Sequence, residues 1–320
     1  MDRRLFLQAM AVGSSLTAFR ANAASTYPAK PITVVVAFSP GGGTDTLARA
    51  LSVPLSATLK QTVIVENKPG AATVIGAEYV AKSKPDGYTL LVTSAPHVSN
   101  PSLMDKLPFD TVKDFAPVCL AAQSPFVLVV RADSPIKTLD DLVKRAKTEK
   151  LFYGSSGNGT NDHLSTELLS DIYGISMVHA PYKGTGPALL DLMGGHIDLM
   201  IGNIVGAAPL VRSGKLRAIA VTTAKRSSLM PELPTLQELS GKPFDVSAWT
   251  GILAPAGTDP AIVKRLNKDI RASLANEKVK EVMTTNGADI VGSTPEEFQQ
   301  FIVSEIQKWG TIIKAAGIKV

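Results

Sequence analysis

Three glycine-rich segments combine a permissive backbone with hydroxyl, amide or carboxylate side chains. They are residues 39–45, 69–73 and 154–161, called loop 1, loop 2 and loop 3 here. Glycines let a backbone approach a ligand closely and turn its N–H groups outward. Each loop precedes a segment with helical spacing, and the N-terminus of a helix favours a nearby negative charge. Together the loops predict a site for an anion, although each one alone is also compatible with a simple tight turn and helix cap.

The same segments lack the motifs of common enzymes. Residues 157–159 are followed by Asp162 where a dinucleotide fingerprint needs its third glycine. The chain has no P-loop and no H-E-x-x-H motif, and loop 3 lacks the last glycine of a G-x-S-x-G elbow. One catalytic alternative is a hydrolase that uses Ser155 or Ser156 with His163, but we interpret His163 as a structural residue. We expect a protein that is not an enzyme and that has no cofactor.

The composition is typical of a globular protein with a large core. The chain has 320 residues, of which 45% are hydrophobic and 19% charged, and this length suggests two domains. A single cysteine, Cys119, excludes an intrachain disulfide, and the four histidines show no metal-binding spacing. A net charge of +5 and an aromatic content of 6% do not favour nucleic acid as a partner.

The first 23 residues are typical of an export signal. Arg3 and Arg4 precede a run of apolar and small residues from Ala9 to Phe19, and Ala21-Asn22-Ala23 matches the pattern that signal peptidase accepts. The Arg-Arg-x-Phe-Leu core resembles a twin-arginine signal, and an ordinary secretory signal is the alternative. We therefore predict a periplasmic protein whose signal is cleaved near Ala23.

Strand-like apolar runs alternate with helical patterns along the rest of the chain. Examples are the runs at 32–38 and 197–201 and the helical patterns at 44–59 and 161–173. Such alternation predicts an α/β fold in which helices cover parallel sheets.

Two longer extended runs, at 118–131 and 244–255, interrupt this alternation. We interpret them as two strands that cross between two α/β lobes. Lobe 1 is predicted to comprise residues 24–124 and 248–320, and lobe 2 to comprise residues 125–247. A ligand cleft is then expected between the lobes, where the carboxyl ends of strands and the N-termini of helices converge.

A set of motifs resembles one family of receptors. The motifs are Pro40-Gly41-Gly42-Gly43-Thr44-Asp45, Glu66-Asn67-Lys68-Pro69-Gly70-Ala71, Lys84-Pro85-Asp86-Gly87-Tyr88, Tyr182-Lys183-Gly184 and Trp249-Thr250-Gly251. Each motif alone is weak, but their order and spacing after the export signal are similar to the Bug family, the tripartite tricarboxylate transporter substrate-binding receptors.

This resemblance implies a type II periplasmic-binding-protein fold that closes on its ligand. It implies a small mono-, di- or tricarboxylate held mainly by backbone N–H groups and water, and delivery to the membrane permease subunits of a tripartite carboxylate transporter. A carboxylate sensor without transport is the alternative, and we expect a monomer. The implied ligand-binding residues are Ser39, Gly42, Gly43, Thr44 and Asp45 in loop 1, Ser155, Ser156, Gly157, Gly159, Thr160 and Asn161 in loop 3, and Asn203.

The identity of the acid is left open, because the chain departs from the family pattern where the far end of the ligand is expected. Loop 2 continues as Ala72-Thr73-Val74 where Gly-Gly-Asn is frequent, and Gly202 precedes Asn203 where a bulkier apolar residue and Asp are common. The candidate residues for this specificity end are Phe38, Thr73, Val74, His97 and Tyr182.

Overall fold

The computed structural model describes residues 27–182 and 184–315. The predicted export signal and its cleavage site near Ala23 lie outside these residues. Within the described part of the chain, no helix combines the length and the apolar character that a membrane span requires.

Strands and helices alternate along the first half of the chain, as the hydrophobic pattern predicts. The strands are β1 (Ile32–Val36), β2 (Val63–Asn67), β3 (Thr89–Thr93), β4 (Phe115–Arg131) and β5 (Phe152–Ser155). The helices are α1 (Gly43–Leu59), α2 (Val74–Ala81), α3 (Pro96–Leu103), α4 (Leu139–Ala146) and α5 (Asn161–Tyr173).

The second half continues this alternation and then becomes mostly helical. The strands are β6 (Val178–Pro181), β7 (Leu199–Asn203), β8 (Leu216–Val221), β9 (Ser247–Pro255) and β10 (Asp289–Ile290). The helices are α6 (Thr185–Gly194), α7 (Ile204–Arg212), α8 (Leu236–Ser240), α9 (Pro260–Leu274), α10 (Glu277–Thr285) and α11 (Pro295–Ala315).

The strands form two parallel blocks on one continuous path. The order is β2-β1-β3-β9-β4-β7-β5-β6, with β8 and β10 paired to β4. In the first block β1 is parallel to β2 and β3, and in the second block β5 is parallel to β6 and β7. Parallel pairs of this kind require a crossover, and the helices between consecutive strands provide it. The predicted α/β class is confirmed.

Strand β4 joins the two blocks. Its first part pairs antiparallel with β9 from Phe115↔Pro255 to Pro125↔Ser247. From Phe126 onward it pairs instead with β7 and β8. The two extended runs interpreted as crossings are thus neighbours in the sheet, and β4 changes partners between Pro125 and Phe126.

Apolar helix faces hold the loops at the ends of the strands. In α1, Leu47, Leu51, Leu55 and Leu59 recur every four residues and are buried. Each buried leucine stabilises the packed helix by about 1.5–3 kcal/mol. This packing fixes the start of α1 beside the carboxyl end of β1, which is where loop 1 lies.

Three helices, α3, α4 and the five-residue α8, were not predicted from the hydrophobic pattern. Helix α3 begins with Pro96 and contains Pro101, so its sequence looks like a loop. Helix α4 is only eight residues long, although Thr138 and Asp141 form a capping box at its start. Short segments give too little periodicity to distinguish a helix from a loop.

Candidate functional site

Loop 1 connects β1 to the N-terminus of α1. The helix begins at Gly43, and its N-cap residue, Gly42, has no side chain that could accept a hydrogen bond. The first N–H groups of a helix have no partner within the helix. The start of α1 therefore presents backbone donors together with the positive end of the helix dipole.

The buried carboxylate of Asp45 organises loop 1. One of its oxygens accepts hydrogen bonds from the Gly41 N–H and the Arg49 Nε–H, both at 2.9 Å, and Asn67 Nδ2 donates to the other oxygen at 2.9 Å. The hydrogen bond from Arg49 is the main reason why the pKa of Asp45 is lowered to about 2. Asp45, expected as a ligand contact, thus makes its hydrogen bonds within the protein and shapes the loop.

Loop 3 repeats this design at the start of α5. The buried carboxylate of Asp162 accepts hydrogen bonds from the Ser156 N–H at 2.6 Å and from Ser156 Oγ at 2.9 Å. Thr160 is the N-cap residue, but its hydroxyl donates to the Gly157 carbonyl at 2.6 Å and does not cap the helix. The N-cap side chain therefore leaves the start of α5 uncapped, although the His163 N–H donates to Asp162 Oδ1 at 3.2 Å.

Two adjoining cavities lie beside these helix starts, and both include Ser94, which follows β3. The first cavity, of about 210 Å³, lies between the start of α1 and strands β4 and β9. The second, of about 330 Å³, lies between loop 3 and α3. Loop 1 and loop 3 thus line neighbouring compartments joined at Ser94.

The two cavities differ in polarity. The first has hydroxyl and amide side chains on its wall: Ser94, Gln123, Ser124, Asn203, Thr250 and Asn286. The second faces loop 3 with apolar side chains, including Ala72, Ala95, Leu103 and Phe126. Among the described residues that line either cavity there is no lysine, arginine or histidine, and Asp162 is the single charged residue. The groups that these cavities offer to an anion are thus helix N-termini and polar side chains, without a cationic side chain.

Seven of the predicted ligand residues line the cavities. Gly43, Thr44 and Asn203 line the first, and Ser156, Gly159, Thr160 and Asn161 line the second. Four more, Ser39, Gly42, Ser155 and Gly157, belong to the same loops but not to the cavity walls.

Asn203 belongs to the second block of strands and lines the first cavity. It ends β7, and its Oδ1 accepts the Val205 N–H at 2.9 Å as the N-cap of α7. Its side-chain NH₂ has no partner among the described residues, so it can donate to a ligand at the cavity wall.

The structure does not place His97 at the cleft. The ring is buried in α3, stacks on Phe109 and meets Phe115 edge-to-face with ring centroids 4.9 Å apart. Its Nε2 is 3.2 Å from the Thr111 carbonyl oxygen. Burial lowers the pKa of His97 to about 4. His97 is therefore a neutral core residue.

The other specificity candidates also lie off the cavity walls. Phe38 packs on the hydrophobic core, and Tyr182 donates its hydroxyl to Asp191 at 2.7 Å. Thr73 and Val74 are buried at the start of α2, where Thr73 adopts a left-handed φ of 77°. Loop 2 contributes its neighbour Ala72 to the second cavity.

Several wall residues were not predicted. Asn100 lies in α3, which the sequence pattern does not reveal, and its Nδ2 donates to the Ala72 carbonyl at 2.8 Å. No sequence motif around Ser94 predicts a site residue, because Ser94 lines both cavities only through the position of β3. Gln123 and Ser124 are polar residues within an otherwise apolar strand, and this interruption was the available clue.

The serine and histidine side chains near loop 3 do not form the predicted alternative, a hydrolase site. Ser155 Oγ is 2.6 Å from His179 Nε2 rather than from His163, and Ser155 is fully buried. Ser156 Oγ donates to Asp162, and His163 Nδ1 accepts the Gly159 N–H. The hydrolase alternative requires one of these serines to pair with His163, and neither does.

The described residues also offer no metal-binding cluster and no reactive thiol. Among the described residues, no group of three or more histidine, cysteine, aspartate or glutamate side chains could hold a metal ion. Cys119 is buried, and burial raises the pKa of its thiol to about 12.

Comparisons with known proteins agree on one family. Residues 47–318 match the model of the tripartite tricarboxylate transporter family receptor. Protein BugT of Bordetella pertussis is 39% identical over 300 residues, which cover 92% of this chain and 92% of BugT.

Two solved structures are similar over nearly the whole chain. A TctC solute-binding protein from Polaromonas, without ligand, is 29% identical with a TM-score of 0.83 and covers 91% of this chain and 100% of its own. The R. palustris protein Rpa4515 with adipate is 35% identical with a TM-score of 0.74 and covers 92% and 100%. The chain has the periplasmic-binding-protein fold, and it belongs to the TctC/Bug family of tripartite tricarboxylate transporter receptors, which is not an enzyme family.

Proposed function

We propose that this receptor captures a small organic carboxylate in the two adjoining cavities and delivers it to the permease subunits of a tripartite carboxylate transporter. The observation that carries the proposal is the pair of uncapped helix N-termini, at α1 and α5, on neighbouring cavities without a cationic wall residue. Backbone donors there are held by Asp45 and Asp162, so they are organised before a ligand arrives.

The energetics support carboxylate binding without an arginine. A carboxylate that leaves water must regain its hydrogen bonds in the cleft. Each hydrogen bond to a charged group contributes about 1.5–3 kcal/mol net. Three or four of them, together with a helix N-terminus and after the entropic cost of association, are compatible with about −8 kcal/mol, which corresponds to micromolar affinity.

Similarity to the adipate complex supports the same ligand class for this chain. The residues proposed to contact the acid are Gly43, Thr44, Ser156, Gly159, Thr160, Asn161 and Asn203, all of which line the cavities. Titration with acetate, succinate, adipate and citrate distinguishes acids with one, two or three carboxylates.

Ligand capture is proposed to close two lobes. We assign residues 24–124 and 248–320 to lobe 1 and residues 125–247 to lobe 2, and the change of partner along β4 supports this division. The first cavity contains residues of both lobes, among them Thr44 and Asn203. A ligand that contacts both lobes binds the closed state better and shifts the population towards it.

Residues 1–23 would direct export to the periplasm, where the processed receptor would act as a monomer. A sensor that binds a carboxylate without transport would have the same cleft. Neighbouring genes for one large and one small membrane subunit would indicate transport.

Calorimetry on the ligand-free protein tests the proposal. The protein is unfolded, dialysed and refolded to remove any acid carried through purification, and is then titrated with acetate, succinate, adipate and citrate. We expect saturable binding of at least one acid at micromolar affinity. Succinamide and adipamide are the matched neutral controls, and they should not bind. The proposal fails if no acid binds to the folded protein, or if a diamide binds as well as its acid.

A further inference from the structure

Loop 3 contacts a stack of three rings, in which Tyr153 and His163 are buried and His179 is half-buried. Tyr153 in β5 and His179 in β6 are register partners, and their ring centroids lie 4.9 Å apart with 18° between the planes. His163, the third residue of α5, stacks on His179 at 3.9 Å and 9°, and its ring centroid lies 6.2 Å from that of Tyr153. The stack lies directly beneath the loop, because β5 ends and α5 begins at its two ends.

Each imidazole is bonded to the loop. The Gly159 N–H donates to His163 Nδ1 at 3.0 Å, so this nitrogen carries no proton and the ring is neutral. His179 Nε2 is 2.6 Å from Ser155 Oγ, which also accepts the Gly157 N–H at 3.1 Å. The two histidines therefore fix two N–H groups of loop 3. His163 accepts the Gly159 N–H directly, and His179 acts on the Gly157 N–H through Ser155.

The surroundings keep both rings uncharged. Burial is the main cause that lowers the pKa of His179 to about 4, and it also lowers the pKa of His163. The charged groups that face the stack are Asp162, which is bonded to Ser156, and Glu167, which accepts the Tyr153 hydroxyl. These carboxylates favour the protonated rings, but burial outweighs them.

We propose that His163 and His179 are positioning residues for ligand binding, which hold the backbone of loop 3 in its binding geometry through Gly159 and Ser155. The inference rests on the proposed carboxylate function. The stack itself does not line either cavity, so the two histidines act on a ligand only through the loop. A proton on His163 Nδ1 would replace an acceptor by a second donor facing the Gly159 N–H, and would release that part of the loop.

Matched variants separate the hydrogen bond from the bulk of the ring. His163→Asn keeps a side-chain oxygen near the position of Nδ1, whereas His163→Leu fills the space without an acceptor. In the same way, His179→Gln keeps a polar group near Nε2, and His179→Leu removes it. Thermal unfolding of each variant identifies those that remain folded.

Amide hydrogen exchange, followed by NMR on the purified ligand-free protein, is the first readout. We expect the protection factor of Gly159 to fall about fivefold to tenfold in His163→Leu and to stay within about twofold of the wild type in His163→Asn. His179→Leu should act in the same way on Gly157. The Gly41 amide, bonded to Asp45 in loop 1, is the internal control and should not change. Unchanged protection of Gly159 in a folded His163→Leu variant would overturn the proposal.

The pH dependence of the wild type provides a second readout that needs no variant. The Gly159 protection factor should be constant above pH 6.5 and should fall at lower pH, because the pKa of His163 is lowered by burial, while that of Gly41 is unchanged. Gly159 protection that stays constant at every acidic pH at which the protein remains folded contradicts the proposal, even if His163→Leu cannot be purified.

Titration with adipate then connects the loop to binding. We expect His163→Leu to weaken adipate binding about tenfold relative to His163→Asn. Equal affinities would show that the loop order does not matter for binding and would overturn the positioning role. If the wild type binds no acid while the exchange results hold, the proposed carboxylate function fails and the histidine control of loop 3 stands.

Discussion

At the residue scale, Asp45 and Asp162 have equivalent roles in different loops. Each lies in the first turn of a helix, is buried and accepts a backbone N–H from the glycine- or serine-rich loop that precedes the helix. Glycine gives such a loop the backbone conformational freedom to fold, and the hydrogen bond to the carboxylate then restricts the loop to one conformation. The sequence shows the glycines and the acidic residue, but not that the carboxylate is used internally.

Asp45→Asn should destabilise the protein by about 1–3 kcal/mol. All three partners of Asp45 are donors, so an amide NH₂ must face at least one of them. Chemical denaturation measures the change. Asp105→Asn, at an exposed aspartate, is the control and should stay within about 0.5 kcal/mol of the wild type. Equal stabilities for the two variants would refute the organising role of Asp45.

Asn203→Asp should weaken binding of adipate at least about tenfold, because it adds a negative charge to the first cavity. Aspartate is as good an N-cap as asparagine, so α7 should keep its cap. Asn276→Asp is a matched control: Asn276 caps α10 through the Lys278 N–H and lies off both cavity walls. Calorimetry should show nearly unchanged affinity for this control. Similar losses in both variants would mean that Asn203 is not near the acid.

At the scale of elements, the helices whose starts form the site were predictable. The spacing of leucines in α1 and the glycine-rich segments before α1 and α5 indicate both the helices and their exposed N-termini. The other side of the second cavity was not predictable. Helix α3 contains two prolines, and its residues reach the cavity only because β3 ends beside loop 3.

Strand β6 should make stability depend on pH through its residue His179. The unfolded chain protonates its histidines near pH 6.5, whereas the pKa of folded His179 is about 4. Between these values the unfolded state binds more protons, so the stability present above pH 6.5 is lost as the pH falls towards 4. His97 contributes in the same window.

Comparison with His179→Gln isolates the contribution of His179. The variant lacks this titration, so its free energy of unfolding should decline less between pH 6.5 and pH 4 than that of the wild type. Urea denaturation at each pH measures the two slopes. Identical slopes would contradict a neutral His179 in the folded protein.

At the scale of the whole molecule, the two blocks meet closely at one glycine. Gly287 has a φ of +63°, and a Cβ there would lie 2.7 Å from Val205 Cγ2 and 3.0 Å from Ile204 Cγ2, both in α7. Its carbonyl also accepts the Ser124 hydroxyl at 2.7 Å. The turn before β10 thus sets how near the second block can come to the first, which no local sequence pattern reveals.

Gly287→Ala should therefore destabilise the protein by more than Gly292→Ala. Both glycines have nearly the same φ, +63° and +62°, but a Cβ at Gly292 meets only ordinary contacts at 3.8–3.9 Å. The control reports backbone strain of about 1–2 kcal/mol, and the additional loss at Gly287 reports the contact between blocks. Denaturation measures both, and equal losses would show that the two blocks are not tightly packed at Gly287.

The central claim is that backbone N–H groups at two helix starts bind a carboxylate without a cationic side chain. A crystal structure of the complex with the tightest-binding acid tests it most directly. We expect carboxylate oxygens at about 2.7–3.1 Å from backbone nitrogens at the start of α1, of α5 or of both. An acid held by lysine or arginine side chains, or bound outside the two cavities, would contradict the account.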